Sequence, residues 1–253
     1  MRRVSLDNSY VRPEMMEPSE SDNVRWHVLK SAQALRQAAY RCILNAAAHA
    51  IDVRGQFLIV LSGGNTPRGI YTMLRYADTD WSRWQVYFSD ERCLSVHETE
   101  RNSAMAGAVW LNHVSIPQDH VHVIPAELGA RAAALVCEKT LRGIGEFDLV
   151  LLGLGEDGHT ASLFPGDDWG VAPDAPDALA VYDAPKPPSQ RVSLSAARLS
   201  RARAALFLVH GESKRNAVAQ WRMGAHIPAR AIHPHAGVDV LVEARLLSSI
   251  EAA

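Results

Sequence analysis

Apolar and polar residues follow one another along the chain in blocks that predict strands and helices in turn. Continuous apolar runs such as FLIVL (57–61) and FDLVLL (147–152) are typical of strands covered on both faces of a sheet. Between such runs lie segments with apolar residues at helical spacing. The longest is Ala-rich and runs from Ser31 to Val53, with Gly55 as the expected stop. This alternation predicts an α/β fold with a mostly parallel sheet and helices on both faces.

The individual elements can be placed by the same patterns. Predicted strands cover residues 24–30 (an edge strand), 56–62, 84–90, 120–125, 147–153, 178–183, 191–195, 202–211 and 238–243. Predicted helices cover residues 31–53, 67–77, 102–113, 126–145 and 212–223. Residues 1–23 are polar with two prolines and are expected to form a disordered tail, whereas residues 24–253 are expected to form a single α/β domain.

Composition and charge exclude several classes of protein. Lys and Arg number 26 against 28 Asp and Glu, and this balance lacks the basic excess of a nucleic-acid-binding protein. The three cysteines form no C-x-x-C pair, which disfavours a disulfide framework or a structural zinc site. No apolar run approaches the roughly 18 residues of a membrane helix, and the N-terminus lacks the apolar core of a signal peptide. A cytoplasmic protein is expected.

Four of the turns that follow predicted strands are rich in glycine and in polar or charged residues. They read SGGNTP (62–67), SDERC (89–93), GLGEDGH (153–159) and HGESK (210–214). In open parallel sheets, ligands bind beyond the carboxyl ends of the strands, near the point where the strand order reverses. We therefore expect these four segments to form one site.

The first of these turns has the composition of an anion cradle. Gly63 and Gly64 let backbone amides face a ligand, while Ser62, Asn65 and Thr66 supply side-chain donors at the start of a helix. The loop has neither the lysine of a Walker A motif nor the spacing G-x-G-x-x-G, which disfavours a nucleoside triphosphate or a dinucleotide. The alternative is a tight strand-to-helix turn in which Asn65 or Thr66 caps the helix.

Three basic residues are candidate ligands of an anion. Lys214 lies in the first turn of a predicted helix, where a cation opposes the helix dipole unless an anion is near. Arg92 has the planar fork that binds phosphate through two N–H groups, and Arg191 directly precedes the strand VSLS. The alternatives are a solvated lysine, a solvated turn around Asp90 and Glu91, and an Arg191 paired with a surface carboxylate.

The glycine-rich turn GLGEDGH carries the candidate catalytic residues. Its glycines allow a sharp bend and a close approach of substrate to the backbone. Asp157 and His159 are near enough for the carboxylate to hold the imidazole in one tautomer and to leave its other nitrogen free as a general base. The alternative makes Asp157 a helix cap and His159 a hydrogen-bonded bystander.

Other catalytic chemistries find little support in the sequence. His226, His233 and His235 lie in a proline-broken segment without a cysteine or carboxylate at ligand spacing, which disfavours zinc. There is no G-x-S-x-G elbow to supply a serine nucleophile. We therefore expect a site without a metal.

These segments, in this order, resemble the motifs of the 6-phosphogluconolactonase family. LSGGNTPRGIY resembles its phosphate loop, SDERC followed by RNSAMA its second motif, and LLGLGEDGHTASLFPG its longest signature. PKPPSQRVSLS and LFLVHGESKRNAV are similar to its C-terminal blocks, so the resemblance spans residues 24–247. It implies a Rossmann-like α/β fold, shared with a superfamily that includes glucosamine-6-phosphate deaminases, and no metal requirement.

The resemblance also implies an activity and the residues that perform it. The implied reaction is hydrolysis of 6-phospho-D-glucono-1,5-lactone to 6-phospho-D-gluconate, the second step of the oxidative pentose phosphate pathway. In that reaction His159 activates water and Asp157 supports it, with no cofactor. The implied substrate-binding residues are Ser62, Gly63, Gly64, Asn65 (where the family often has serine), Thr66, Asp90, Arg92, Asn102, Gly155, Arg191 and Lys214. A monomer or homodimer is expected, without a nucleic-acid or membrane partner.

Two other functions stay open at this level. A glucosamine-6-phosphate deaminase or isomerase resembles the G-x-D-G-H motif but needs a glutamate shortly after it. Here Phe164 stands at that place, and no carboxylate follows until Asp167. The other alternative is a non-catalytic phosphosugar-binding protein on the same fold.

Overall fold

A computed structural model of the chain describes residues 23–247, so the predicted tail lies outside the described residues except for Asn23. The strands are β1 (Val24–Leu29), β2 (Phe57–Leu61), β3 (Trp84–Phe88), β4 (Asp90–Arg92), β5 (Phe147–Gly153), β6 (Ala178–Val181), β7 (Arg191–Leu194), β8 (Ala202–Val209) and β9 (Val238–Glu243). The helices are α1 (Ala32–Arg54), α2 (Asn65–Leu74), α3 (Asn102–Val109), α4 (Ala130–Leu141), α5 (Ala196–Ser200) and α6 (Arg215–Arg222).

Six strands form a parallel sheet in the order β1-β9-β8-β5-β2-β3. All five residues of β2 and the first six of β5 are buried, because these are the continuous apolar runs at the centre of the sheet. β1 lies at the edge, as its pattern predicts. The predicted α/β fold class is confirmed.

The helices begin, end and pack where their local sequence directs. The Ser31 hydroxyl caps α1 by accepting a hydrogen bond from the Ala34 amide, and Gly55 ends the helix in the left-handed conformation. α1 contacts β9, β2 and β5. α6 places Trp221 against Trp26 of β1 and Phe207 of β8, with ring centroids 5.4 and 4.7 Å away.

A second, antiparallel sheet of three strands, in the order β4-β7-β6, was not predicted. The expected strand 84–90 divides at Ser89, which hydrogen-bonds to both sheets. Its amide donates to Leu61 of β2, and its carbonyl accepts from Leu194 of β7, each at 2.8 Å. Local pattern does not distinguish one long strand from two that share a residue, because the separation depends on partners distant in sequence.

Two other predicted elements are wrong in part. The strand expected at 120–125 is a 3₁₀ turn (Gln118–His120) followed by one bridge between Val121 and Val86, and Pro125 at its end has no amide proton to donate to a ladder. The helix expected from residue 126 starts only at Ala130, because Gly129 has a φ of +85° and interrupts it.

The chain reverses its direction across the sheet between β2 and β5. From β2 it moves to β3 on one side, whereas β5 is followed by β8 and β9 on the other. Residues 62–66 leave β2 and residues 154–160 leave β5 at the same edge, because the strands are parallel. This switch point is the expected position of a ligand site.

Candidate active site

The turn after β5 brings Asp157 and His159 into direct contact. The Oδ1 atom of Asp157 accepts hydrogen bonds from the His159 amide at 3.1 Å and lies 2.6 Å from the Nδ1 atom of its ring. An ionised carboxylate only accepts, so the Nδ1 atom carries a proton and the Nε2 atom of a neutral ring has a free lone pair. Burial opposes ionisation of Asp157, yet the His159 amide and ring hold the pKa of this carboxylate below its usual value. The helix-cap alternative is wrong, because no helix follows in the next residues.

The glycines of this turn have separate roles. A Cβ atom on Gly155 would lie 2.0 Å from the Nδ1 atom of His159, so the imidazole rests directly on this backbone. Gly158 has a φ of +87°, and a Cβ atom there would lie 2.8 Å from Ile227. A Cβ atom on Gly153 meets nothing within 4 Å. The ring therefore requires Gly155, and the bend requires Gly158.

The loop after β2 ends in a helix start without a side-chain cap. Gly64 is the N-cap residue, with a φ of +102°, and no side chain accepts a hydrogen bond from the first turn of α2. Asn65 and Thr66 lie inside that turn, so the alternative in which one of them caps the helix is wrong. The backbone amides of this turn therefore remain available to a ligand.

Ser62 is held firmly but faces inward. Its amide and carbonyl both hydrogen-bond to the Tyr71 hydroxyl, at 3.1 and 2.9 Å. Its own hydroxyl is buried and has no hydrogen-bond partner within residues 23–247. The backbone of this residue, rather than its side chain, is thus the part that shapes the loop.

A buried network centred on Asp90 connects the two loops. The Asn102 carboxamide donates to the carbonyl and carboxylate of Asp90, at 2.9 and 3.1 Å. The Ser162 hydroxyl, just beyond the turn that carries Asp157 and His159, donates to the other carboxylate oxygen at 2.7 Å. Asn102 also lies so close to Gly63 that a Cβ atom there would be 1.9 Å from its oxygen. Asp90 therefore fixes the β2 loop relative to the β5 loop.

Glu91 stabilises the start of α3. Its carboxylate accepts hydrogen bonds from the amides of Asn102 and Ser103 at 2.8 and 2.9 Å, where a negative charge also complements the helix dipole. Glu91 is fully buried and Asp90 is 6% exposed. The alternative of a solvated turn at these two residues is therefore wrong.

Two arginines are register partners on neighbouring strands of the second sheet. Arg92 of β4 lies directly opposite Arg191 of β7. Arg191 is 7% exposed and donates to the carbonyls of Pro188 and Lys186 at 3.1 and 2.7 Å, and neither arginine forms an ion pair with a carboxylate in the described chain. Burial lowers the pKa of Arg191, nearby Asp90 opposes this effect, and Arg92 adds to it. The alternative of a surface ion pair is wrong for Arg191, and a buried cation of this kind favours an anionic ligand.

Lys214 lies near the turn that carries Glu156 and Asp157. Burial is the main cause that lowers the pKa of its ammonium, and the nearby charge of Lys186 lowers this pKa further. The carboxylates of Glu156 and Asp157 act in the opposite direction. Within residues 23–247 Lys214 forms no ion pair, whereas Lys186 lies 3.6 Å from Glu156. Lys214 is half-buried, so the alternative of a fully solvated lysine does not hold.

An aromatic ring adjoins the imidazole. The Phe164 ring centroid is 4.8 Å from that of His159 and 5.6 Å from the guanidinium carbon of Arg191. Through these contacts and the Asp90 network, the segments after β2, β3 and β5 and the start of β7 meet at one place. Sequence reasoning missed Ser162 and Lys186 as members of this region, although both lie within the motifs ASLFP and PKPPS.

The other histidines do not form a metal site. His226 stacks on Trp169 with ring centroids 4.6 Å apart. Among residues 23–247 no group of three or more His, Cys, Asp or Glu side chains is arranged to hold a metal ion. In the same part of the chain, no helix is both long and apolar enough to span a membrane.

Sequence comparison identifies relatives of this chain. Residues 30–241 match the family described as glucosamine-6-phosphate isomerases/6-phosphogluconolactonase. The 6-phosphogluconolactonase of Synechocystis is 37% identical over 207 residues, which cover 76% of this chain and 82% of the relative. The enzyme of the same name from Mycobacterium tuberculosis is 36% identical over 209 residues, which cover 76% and 83%.

A solved structure has the same fold. The 6-phosphogluconolactonase of Trypanosoma brucei superposes with a TM-score of 0.78 at 26% identity, covering 89% of this chain and 98% of that one. The shared fold therefore extends over nearly the whole of the described chain.

Proposed function

The chain belongs to the family of glucosamine-6-phosphate isomerases and 6-phosphogluconolactonases, and we propose that it hydrolyses 6-phospho-D-glucono-1,5-lactone to 6-phospho-D-gluconate. This reaction is the second step of the oxidative pentose phosphate pathway. One observation carries the proposal: the Asp157–His159 pair, at 2.6 Å, lies beside Arg191 and Lys214, two cations without a carboxylate ion pair in residues 23–247. A general base near cations that lack a direct carboxylate partner suits a substrate that combines an ester with a phosphate.

His159 acts as the general base. Its Nε2 atom accepts a proton from water while the water oxygen bonds to C1 of the lactone, and the carbonyl electrons move onto the exocyclic oxygen. As this tetrahedral intermediate collapses, the bond from C1 to the ring oxygen breaks, and His159 returns the proton to that oxygen. Asp157 keeps the ring in the required tautomer and stabilises the imidazolium formed between these steps. A δ-lactone has a tolerable leaving group, so the mechanism requires neither a covalent nucleophile nor a metal ion.

The phosphate end of the substrate binds at the positive side of the site. Arg92, Arg191 and Lys214 supply the charge, and the uncapped first turn of α2, with Gly64, Asn65 and Thr66, supplies backbone amides. This remote group orients the reacting carbon toward His159 without taking part in the chemistry.

Other residues that were expected to bind substrate instead hold the loops of the site in place. Asp90 and Asn102 hydrogen-bond to each other, Ser162 donates to Asp90, Asn102 packs against Gly63, and the Ser62 hydroxyl is buried. We assign these side chains to holding the loops in place. Gly155 provides the surface on which the imidazole rests.

The deaminase alternative is disfavoured by the neighbour of His159. Its relay needs a carboxylate at the place where this chain has Phe164, whose ring packs 4.8 Å from the imidazole. Hydrocarbon at that contact neither accepts nor donates a proton. The non-catalytic alternative is disfavoured by the free Nε2 atom of a ring already oriented by Asp157.

The test is a direct assay with freshly prepared 6-phosphogluconolactone. Acid release should greatly exceed the spontaneous rate with the wild-type protein and fall to near that rate with His159→Gln. Ammonia release from glucosamine-6-phosphate, measured in parallel, should be absent. A wild-type protein that leaves the spontaneous rate unchanged disproves the lactonase proposal, and ammonia release would favour the deaminase.

A further inference from the structure

The loop between β6 and β7 is held by hydrogen bonds from a buried arginine. Arg191 donates to the carbonyls of Lys186 and Pro188 at 2.7 and 3.1 Å. Inside the loop, the Ala184 amide donates to the Ser189 carbonyl at 3.0 Å. The same arginine that adjoins Phe164 therefore fixes the backbone of this loop through two hydrogen bonds.

This loop presents a lysine to the catalytic turn. The Lys186 ammonium lies 3.6 Å from the carboxylate of Glu156, the residue just before Asp157. The Ser213 hydroxyl, together with Lys186 and Lys214, holds the pKa of Glu156 below its usual value. Lys186 thus forms an ion pair with the turn that carries Asp157, and the Lys214 ammonium is near enough to act electrostatically on the same carboxylate.

The ion pair with Glu156 is too weak to explain this arrangement by itself. Lys186 and Glu156 are 69% and 51% exposed, and ion pairs between exposed side chains contribute little to stability. Glu156 has one negative charge and is paired with Lys186, whereas Lys214 nearby has no carboxylate at ion-pair distance in residues 23–247. A phosphate monoester near neutral pH has close to two charges and three acceptor oxygens, and it would satisfy both lysines better.

We propose that Lys186 is a further phosphate-binding residue and that Glu156 is a resident anion, which pairs with Lys186 until the substrate phosphate replaces it. The inference rests on the proposed function, since it assigns a role within that substrate site. It makes Lys186 a determinant of specificity for phosphorylated over unphosphorylated lactone. The ligand class is a sugar phosphate dianion.

The first experiment measures specificity in Lys186→Met, with Lys139→Met as the matched control. Lys139 is exposed on α4, and its substitution makes the same change of charge. The ratio of kcat/KM for 6-phosphogluconolactone to that for glucono-1,5-lactone should fall roughly tenfold in Lys186→Met, as expected for one lost charge-assisted hydrogen bond, and should stay constant in the control. An unchanged ratio in Lys186→Met would refute the proposal.

A double-mutant cycle with Glu156→Gln separates binding of phosphate from support of the loop. If Lys186 binds phosphate, the tenfold effect of Lys186→Met persists in the Glu156→Gln background, because its partner there is the substrate. If Lys186 only anchors the turn through Glu156, the effect disappears in that background, and the proposal is wrong. Glu156→Gln by itself should lower KM for the phosphorylated lactone about two- to threefold, because a competing anion is gone.

A binding measurement makes failure of this inference distinguishable from failure of the proposed function. Calorimetric titration with 6-phosphogluconate requires no turnover. The Kd should rise roughly tenfold in Lys186→Met and should be unchanged in Lys139→Met. A wild-type protein that binds this ligand, depends on Lys186 and yet does not hydrolyse lactone would disprove the activity alone. Hydrolysis by the wild type with equal Kd values in both variants would disprove the role of Lys186 alone.

Discussion

Residues 23–247 contain two His–Asp pairs with nearly equal distances, one through the Nδ1 atom of the ring and the other through the Nε2 atom. His159 and Asp157 lie 2.6 Å apart in the turn after β5, and His27 and Asp239 lie 2.7 Å apart between the edge strand β1 and its neighbour β9. Judged by distance, either pair is a candidate catalytic dyad. Their surroundings decide between them.

The edge pair is neutralised by a third residue. Arg25 donates to both oxygens of Asp239, at 2.8 and 2.7 Å, and also to the Ala236 carbonyl at 2.8 Å. Asp157 instead receives hydrogen bonds from His159 and from no arginine in residues 23–247. The first pair is part of an ion-pair cluster that fastens an edge strand. The Asp157–His159 pair has no arginine that neutralises its carboxylate in residues 23–247, and it lies at the end of β5, where a ligand is expected.

The strongest test of this contrast is to remove each imidazole in turn. His159→Gln should lower kcat for the phosphorylated lactone by about 10²- to 10⁴-fold, because glutamine cannot accept the proton of water. His27→Gln should change kcat by less than about twofold, because its ring only hydrogen-bonds to Asp239 at the edge of the sheet. Steady-state kinetics of both variants checks the contrast, and comparable losses in the two would contradict the assignment.

A second test concerns the surface beneath the ring. In Gly155→Ala the new methyl group would overlap the His159 ring, and a displacement of about 1 Å is expected to cost on the order of 10²-fold in kcat. Gly153→Ala is the matched control, because its Cβ atom meets nothing within 4 Å. Equal kcat values for these two variants would show that the ring position is not critical.

A third test, with the smallest expected effect, concerns acid stability. Although burial opposes ionisation, hydrogen bonds from His27 and Arg25 hold the pKa of Asp239 below its usual value. Its charge therefore contributes stability above the unfolded pKa of about 3.9, and this contribution is lost as the pH falls through the lower, folded-state pKa. Asp239→Asn should reduce the free energy of unfolding at pH 7 by about 1–2 kcal/mol, with a difference from wild type that shrinks toward pH 3.

Urea unfolding at several pH values measures this effect, and kcat should stay close to the wild-type value. Asp157→Asn supplies the opposite pattern, with a large loss of kcat and little change in stability. If Asp239→Asn lowered kcat as much as Asp157→Asn, the division of the two pairs into a structural and a catalytic one would have to be abandoned.

Local signals in the sequence were sufficient for much of the fold. The apolar runs of β2 and β5 mark central strands, and Ser31 and Gly55 mark the ends of α1, because each depends on neighbours within a few residues. The glycine-rich ends of the strands also pointed to one edge of a parallel sheet. Asp157 and His159 could be paired because only Gly158 lies between them in the same turn.

Contacts between distant segments were decided only by the tertiary structure. Whether Asp90 is solvated or buried depends on Asn102 and Ser162, which the chain brings to it from other elements. The division of the strand at Ser89 likewise depends on partners in β2 and β7.

Tertiary structure also decided which of the two His–Asp pairs is neutralised by an arginine. The sequence by itself determined the element types and the chemical groups at the strand ends, because these follow from local periodicity and composition. Tertiary packing determined which of those groups are neutralised and which stay available, because hydrogen-bond partners and burial are properties of the assembled chain.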